Sequence, residues 1–105
     1  MIEIKKQQEG QRLTLYMAGR LDTAAAPKLE KIVVKELEGV TELVLDLQEL
    51  FYVSSAGLRA LLLAQKQMDG RGEMFLLHVN EDVKEILQVT GFAKILTIKE
   101  DSQEK

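Results

Sequence analysis

The first apolar residues, Ile2 and Ile4, alternate with charged neighbours, and Leu13-Thr14-Leu15-Tyr16-Met17-Ala18 alternates again. A period of two marks a strand with one buried face. The polar stretch Gln7 to Gln11 between them predicts a turn, so the chain opens on a hairpin, and Gly19-Arg20-Leu21-Asp22 closes its second strand. The period then changes. Leu29, Ile32, Val33 and Leu37 recur at helical spacing, with Lys28, Lys31, Lys35 and Glu38 on the water side. Thr23 to Ala26 lead in, Pro27 is tolerated in the first turn, and Gly39 is expected to stop the helix as a left-handed residue past its end.

Leu43 to Leu47 alternates as a third strand, and Leu58, Leu61, Leu62 and Gln65 return to the helical period, predicting a helix from the serines at 54 and 55 to about Met68. Asp69-Gly70-Arg71-Gly72 is a turn cluster. Glu73 to Val79 is a nearly unbroken apolar run, as in a strand covered on both faces. Asn80 can cap a last helix, with Glu81 and Asp82 complementing its dipole, Val83, Ile86 and Leu87 inside, and Gly91 at its end. Ile95 to Ile98 reads as a short final strand, and Glu100 to Lys105 as a frayed polar tail.

The order ββαβαβαβ predicts an α/β fold: a mixed, mostly parallel sheet with an antiparallel hairpin at its start, as one domain over residues 1–105. The second and third strands, joined by a helix, run the same way. Their C-terminal ends share an edge, which brings Asp22 and Ser55 to one rim, where open α/β sheets build their sites. Asp46, an acid in an apolar strand, is expected hydrogen-bonded near the loop end. His78 is expected as a satisfied histidine in or at the end of its strand, and Met17, Met68 and Met74 as core filler.

Composition narrows the chemistry. The chain has 105 residues, 46% hydrophobic and 30% charged, as an ordinary globular domain has. It contains no cysteine and one histidine, so no thiolate site, disulfide or histidine metal cluster is expected, and no cofactor. A net charge of −3 with dispersed basic residues argues against nucleic acid as partner. Charges at Glu3, Lys5 and Lys6 are unlike a signal peptide, and no stretch reaches the roughly 20 apolar residues of a membrane span. A cytoplasmic chain without membrane insertion, working as a monomer or weak dimer, is expected.

The chemistry concentrates in Val53-Ser54-Ser55-Ala56-Gly57. Unpaired N–H groups and a positive dipole end meet there, so a serine hydroxyl can cap the helix or carry a phosphate of roughly −1.5 to −2 charge. Gly57 is expected to serve close packing, and Tyr52 and Arg59 flank the turn. A nucleophile elbow is the competing chemistry, but the glycine two residues before either serine is missing and the one histidine is predicted inside a strand. An enzyme is not expected.

Three segments together resemble the STAS domains of bacterial anti-sigma factor antagonists: Gly19-Arg20-Leu21-Asp22, then Leu43 to Leu47 through Val53-Ser54-Ser55-Ala56-Gly57-Leu58, then Gly91-Phe92. The resemblance covers essentially the whole chain. It implies a switch protein phosphorylated by an anti-sigma factor serine kinase, whose unphosphorylated form binds that kinase and frees a sigma factor, with a serine phosphatase to reset it. The acceptor position falls on Ser55, with Ser54 as the alternative, and the partner surface on Asp22, Ser54, Ser55, Ala56, Gly57 and Arg59. The family's aspartate before the acceptor is Ser54 here, and its following Ser/Thr is Ala56, which makes Ser54 either a competing acceptor or a cap. The other role the resemblance allows is an accessory subunit of a lipid transporter, or a stress-signalling scaffold, docking without phosphorylation.

Overall fold

A computed structural model describes residues 2–99. Among them a five-stranded sheet carries three α-helices, in the order β1 (Ile2–Glu9), β2 (Arg12–Leu21), α1 (Ala26–Lys35), β3 (Glu42–Val53), α2 (Ser55–Met68), β4 (Glu73–Leu77), α3 (Glu81–Thr90) and β5 (Ile98–Lys99). The strands lie side by side in that same order; β1 and β2 pair antiparallel and every later pair is parallel. Each parallel step thus moves to the next strand in the same direction. A right-handed crossover at every step drops all the helices on one face of the sheet.

Burial follows from that. Leu15, Leu45 and Leu76 on neighbouring strands are fully buried and share one apolar cluster with Leu29 of α1, Leu61 of α2 and Leu87 of α3. Removing a leucine side chain from water contributes about 1.5–3 kcal/mol, so this face dominates the stability. The other sheet face has no helix over it. Phe75 of β4 points there and is covered by the Lys99 ammonium, 3.9 Å from the ring centre. β4 is therefore not sandwiched between helices, as its apolar run suggested. The second covering is a lysine side chain.

Several boundaries differ from the sequence expectation. β1 runs to Glu9, leaving only Gly10 and Gln11 as the turn. Residues 5 to 9 of this edge strand are exposed and polar on both faces, so their alternation is invisible in the sequence. α1 ends at Lys35 with Glu36 as its C-cap; Leu37, though buried, lies beyond it, and the left-handed Gly39 (φ 80°) belongs to the connection. β4 stops at Leu77, before His78 and Val79. The last strand is Ile98–Lys99, while Ile95 is the C-cap of a 3-10 turn over Phe92–Lys94. Gly91 does end α3 in the left-handed conformation (φ 84°). The tail at 100–105 lies outside the described residues.

The largest difference is β3, which continues to Val53 instead of ending at Leu47. It carries extra residues relative to β2: pairing shifts between Tyr16↔Asp46 and Ala18↔Glu49, and again between Gly19↔Leu50 and Arg20↔Tyr52. These bulges break the period of two, so buried positions fall at Leu43, Leu45, Leu47, Leu50 and Val53. β4 reaches only as far as Leu77↔Asp46, and β3 projects beyond it.

Candidate functional site

The projecting end of β3 and the start of α2 form the site region. Leu21 and Val53 are register partners, so Asp22 and Ser54 continue from the same level of adjacent parallel strands, on one rim as expected. The Ser54 backbone N–H donates to the Leu21 carbonyl at 2.9 Å and ties the turn to β2. Ser54 is the N-cap of α2, extended at φ −84° and ψ 176°, and its Oγ accepts from the Gly57 N–H at 3.1 Å. That hydroxyl is committed to holding the helix start.

Ser55 differs. It is the first residue of α2, exposed, and its hydroxyl has no hydrogen-bond partner among the described residues. No acidic residue stands in the first turn of α2. No carboxylate of α2 itself offsets the positive end of the helix dipole, and negative charge on Ser55 would be stabilised there. Arg59, also exposed, lies one turn further along the same helical face. Ala56 is half-buried.

Gly57 is where α2 comes closest to the sheet. A Cβ there would run into the Leu21 carbonyl oxygen and stand 3.0 Å from both Leu21 Cγ and Val53 Cγ1. The close-packing role expected for it is the one the geometry gives. Asp22 is a turn residue. Its Oδ1 accepts from the Ala25 N–H at 3.0 Å, and its carbonyl accepts from Ala25 and Ala26 at 3.0 and 2.9 Å. It shapes the entry to α1 without a hydrogen bond to either serine.

Two features near the rim have weak signals in the sequence. The Arg20 guanidinium lies 4.4 Å from the centre of the Tyr52 ring, as cross-strand partners just below the rim. Phe51 next to them is 60% exposed, and the only hint of this is an aromatic residue where the alternation breaks.

Asp46 is hydrogen-bonded as expected, but from the middle of β3 and not from its loop end. It lies within β3, at the last pair made with β4, on the helix-free face. Its Oδ1 accepts from the Gln48 N–H at 3.1 Å and its Oδ2 is 2.9 Å from His78 Nδ1. His78 follows β4 directly and adopts φ 56°, rare for a non-glycine residue, so Asp46 fastens a strained strand end. This pair does not serve the serines: the strand from Asp46 to Val53 spans roughly 20 Å at about 3.3 Å per residue. No group of three or more His, Asp or Glu that could hold a metal occurs among the described residues. No helix among them is long and apolar enough to cross a membrane.

The fold and rim define a small α/β module that displays a hydroxyl at a helix start. The STAS domain model matches residues 2–105, and the chain belongs to that family. It is similar to BtrV of Bordetella bronchiseptica, named among the anti-sigma factor antagonists, with 36% identity over 88 residues, 82% of this chain and 76% of the relative. It is also similar to the anti-sigma-B factor antagonist of Listeria monocytogenes, with 31% identity over 93% of this chain and 87% of the relative. The phosphorylated form of the Bacillus cell fate determinant SpoIIAA has the same fold, with a TM-score of 0.73 and 14% identity over 97% of this chain and 96% of that one.

Proposed function

We propose that this chain is an anti-sigma factor antagonist switched by phosphorylation of Ser55. The unphosphorylated form binds an anti-sigma factor serine kinase in the cytoplasm and makes it release a sigma factor; phosphorylation ends that binding, and a phosphatase restores it. The observation that carries this reading is the division of labour between the two serines. Ser54 Oγ is engaged as the cap, while the Ser55 hydroxyl is exposed and holds nothing in the fold. The names of the Bordetella and Listeria relatives, and the existence of a phosphorylated form of a protein with the same fold, support it.

The switch is electrostatic. Phosphate brings close to two negative charges to a surface that meets a partner. A like-charge clash of about 3 kcal/mol weakens binding roughly a hundredfold. The helix end tolerates the same charge within the chain, so the two states share one fold.

The test combines the purified chain with its anti-sigma factor kinase and ATP, maps phosphate by mass spectrometry, and measures kinase affinity before and after. Phosphate on Ser55, none on Ser55→Ala, and an affinity loss near a hundredfold are expected. No phosphate on either serine refutes the switch. If such an unmodified chain co-purifies with a transporter ATPase subunit, the docking role is the correct one.

A further inference from the structure

The second bulge of β3 has a particular content. Pairing steps from Gly19↔Leu50 to Arg20↔Tyr52, so Phe51 stands opposite no residue of β2. Such irregularities cluster beside functional sites. Leu50 before it is fully buried and Val53 nearly so, whereas Phe51 is 60% exposed. The segment is also braced on its other side. Beyond Asp46 there is no β4 to pair with, and Asn80 Nδ2 donates to the Leu50 carbonyl at 2.6 Å instead. The ring is therefore held out by a backbone fixed on both flanks.

Chain geometry places it in a partner's footprint. Phe51 and Ser55 are four Cα steps apart along the chain, which limits their Cα atoms to roughly 14 Å apart. A standard interface buries about 800 Å² on each partner, a disc of roughly 16 Å radius. A kinase that seats the Ser55 hydroxyl at its active centre therefore covers this part of the rim as well. Aromatic and arginine side chains are enriched at such surfaces, and Phe51 stands beside the stacked Arg20–Tyr52 pair.

We propose that Phe51 is the apolar anchor by which this chain binds the anti-sigma factor kinase, an inference that rests on the function proposed above. The experiment is calorimetric titration of the purified kinase with the unmodified chain, Phe51→Ser and Val34→Ser. Val34 is equally exposed, at 57%, but lies at the end of α1 away from the rim. Phe51→Ser should bind at least about tenfold more weakly and be phosphorylated more slowly at equal kinase concentration, with an unchanged circular dichroism spectrum and melting temperature. Val34→Ser should match the unmodified chain. Equal affinity for Phe51→Ser and the unmodified chain overturns the anchor and leaves the switch standing, as does equal weakening by both substitutions. Absence of any binding by the unmodified chain overturns the proposed function, and the anchor with it.

Discussion

Gly57→Ala tests the packing on which the site rests, because two effects of opposite sign meet there. Alanine is the better helix former by up to about 1 kcal/mol, and it also restricts the unfolded chain. Were the space open, the substitution would stabilise. It is not open: the added Cβ falls on the Leu21 carbonyl oxygen, a backbone atom that already accepts the Ser54 N–H. Restoring an ordinary C···O contact of about 3.3–3.6 Å requires the first turn of α2 to retreat by roughly 1 Å. Because the obstacle is backbone and cannot swing aside, the overpacking cost falls in the upper part of the usual range, about 2–3 kcal/mol, which leaves a net loss of about 1–2 kcal/mol after the helix gain. For a domain of this size that lowers the melting temperature by roughly 5–15 °C. Calorimetry and urea unfolding measure it, with Ser55→Ala beside it as the substitution that improves propensity without an obstruction. A melting temperature at or above that of the unmodified chain for Gly57→Ala refutes the close approach of α2 to β2.

Two further substitutions separate the rim's structural bonds from its exposed chemistry. Ser54→Ala removes the cap and should cost about 1 kcal/mol in urea unfolding, while phosphate still maps to Ser55; loss of phosphorylation with the fold intact would make Ser54 the acceptor. Asn80→Asp keeps the acceptor for the Val83 N–H but loses the donor to the Leu50 carbonyl and sets a carboxylate against it. Asn and Asp are otherwise equivalent caps, so a loss of about 1–3 kcal/mol is expected, and an unchanged urea midpoint refutes the second role of Asn80.

What the sequence disclosed followed its periodicities. The three helices, the hairpin, the parallel pairing and the shared rim of Asp22 and Ser55 all come from clean periods and caps such as Asn80 and Gly91. What it concealed lies where a tertiary effect replaces the local signal. β3 looked finished at Leu47 because Gln48 and Glu49 are adjacent polar residues, yet a bulge absorbs the break and the alternation resumes at Leu50. The exposure of Phe51 depends on that irregularity. Asp46 differs for a related reason: in a strand that ends at Leu47 it stands next to the loop, whereas β3 runs on to Val53 and leaves it mid-strand. Its bond to His78 joins residues 32 apart in the chain, which no local pattern encodes. The roles of Ser54 and Gly57, by contrast, are set by residues within one helical turn and by the strand beside them, and both were readable.

The unequal lengths of the strands explain why this rim is suited to display. β3 has 12 residues and β4 only 5, and the two start level at Glu42↔Glu73, so the far end of β3 stands clear of the sheet on one side. Such an overhang would fray if it were held by β2 alone. It is closed by the Asn80 side chain on one flank, by the Ser54 N–H bond to Leu21 on the other, and by Gly57 seating α2 against Leu21 and Val53. All of these restraints use backbone groups or side chains other than Phe51 and Ser55. The two groups that project are therefore those the fold does not require. Charge can be added at Ser55, or apolar surface removed at Phe51, without undoing a bond that holds the rim. A surface built this way lets partner affinity change by orders of magnitude while the stability of the domain stays nearly constant.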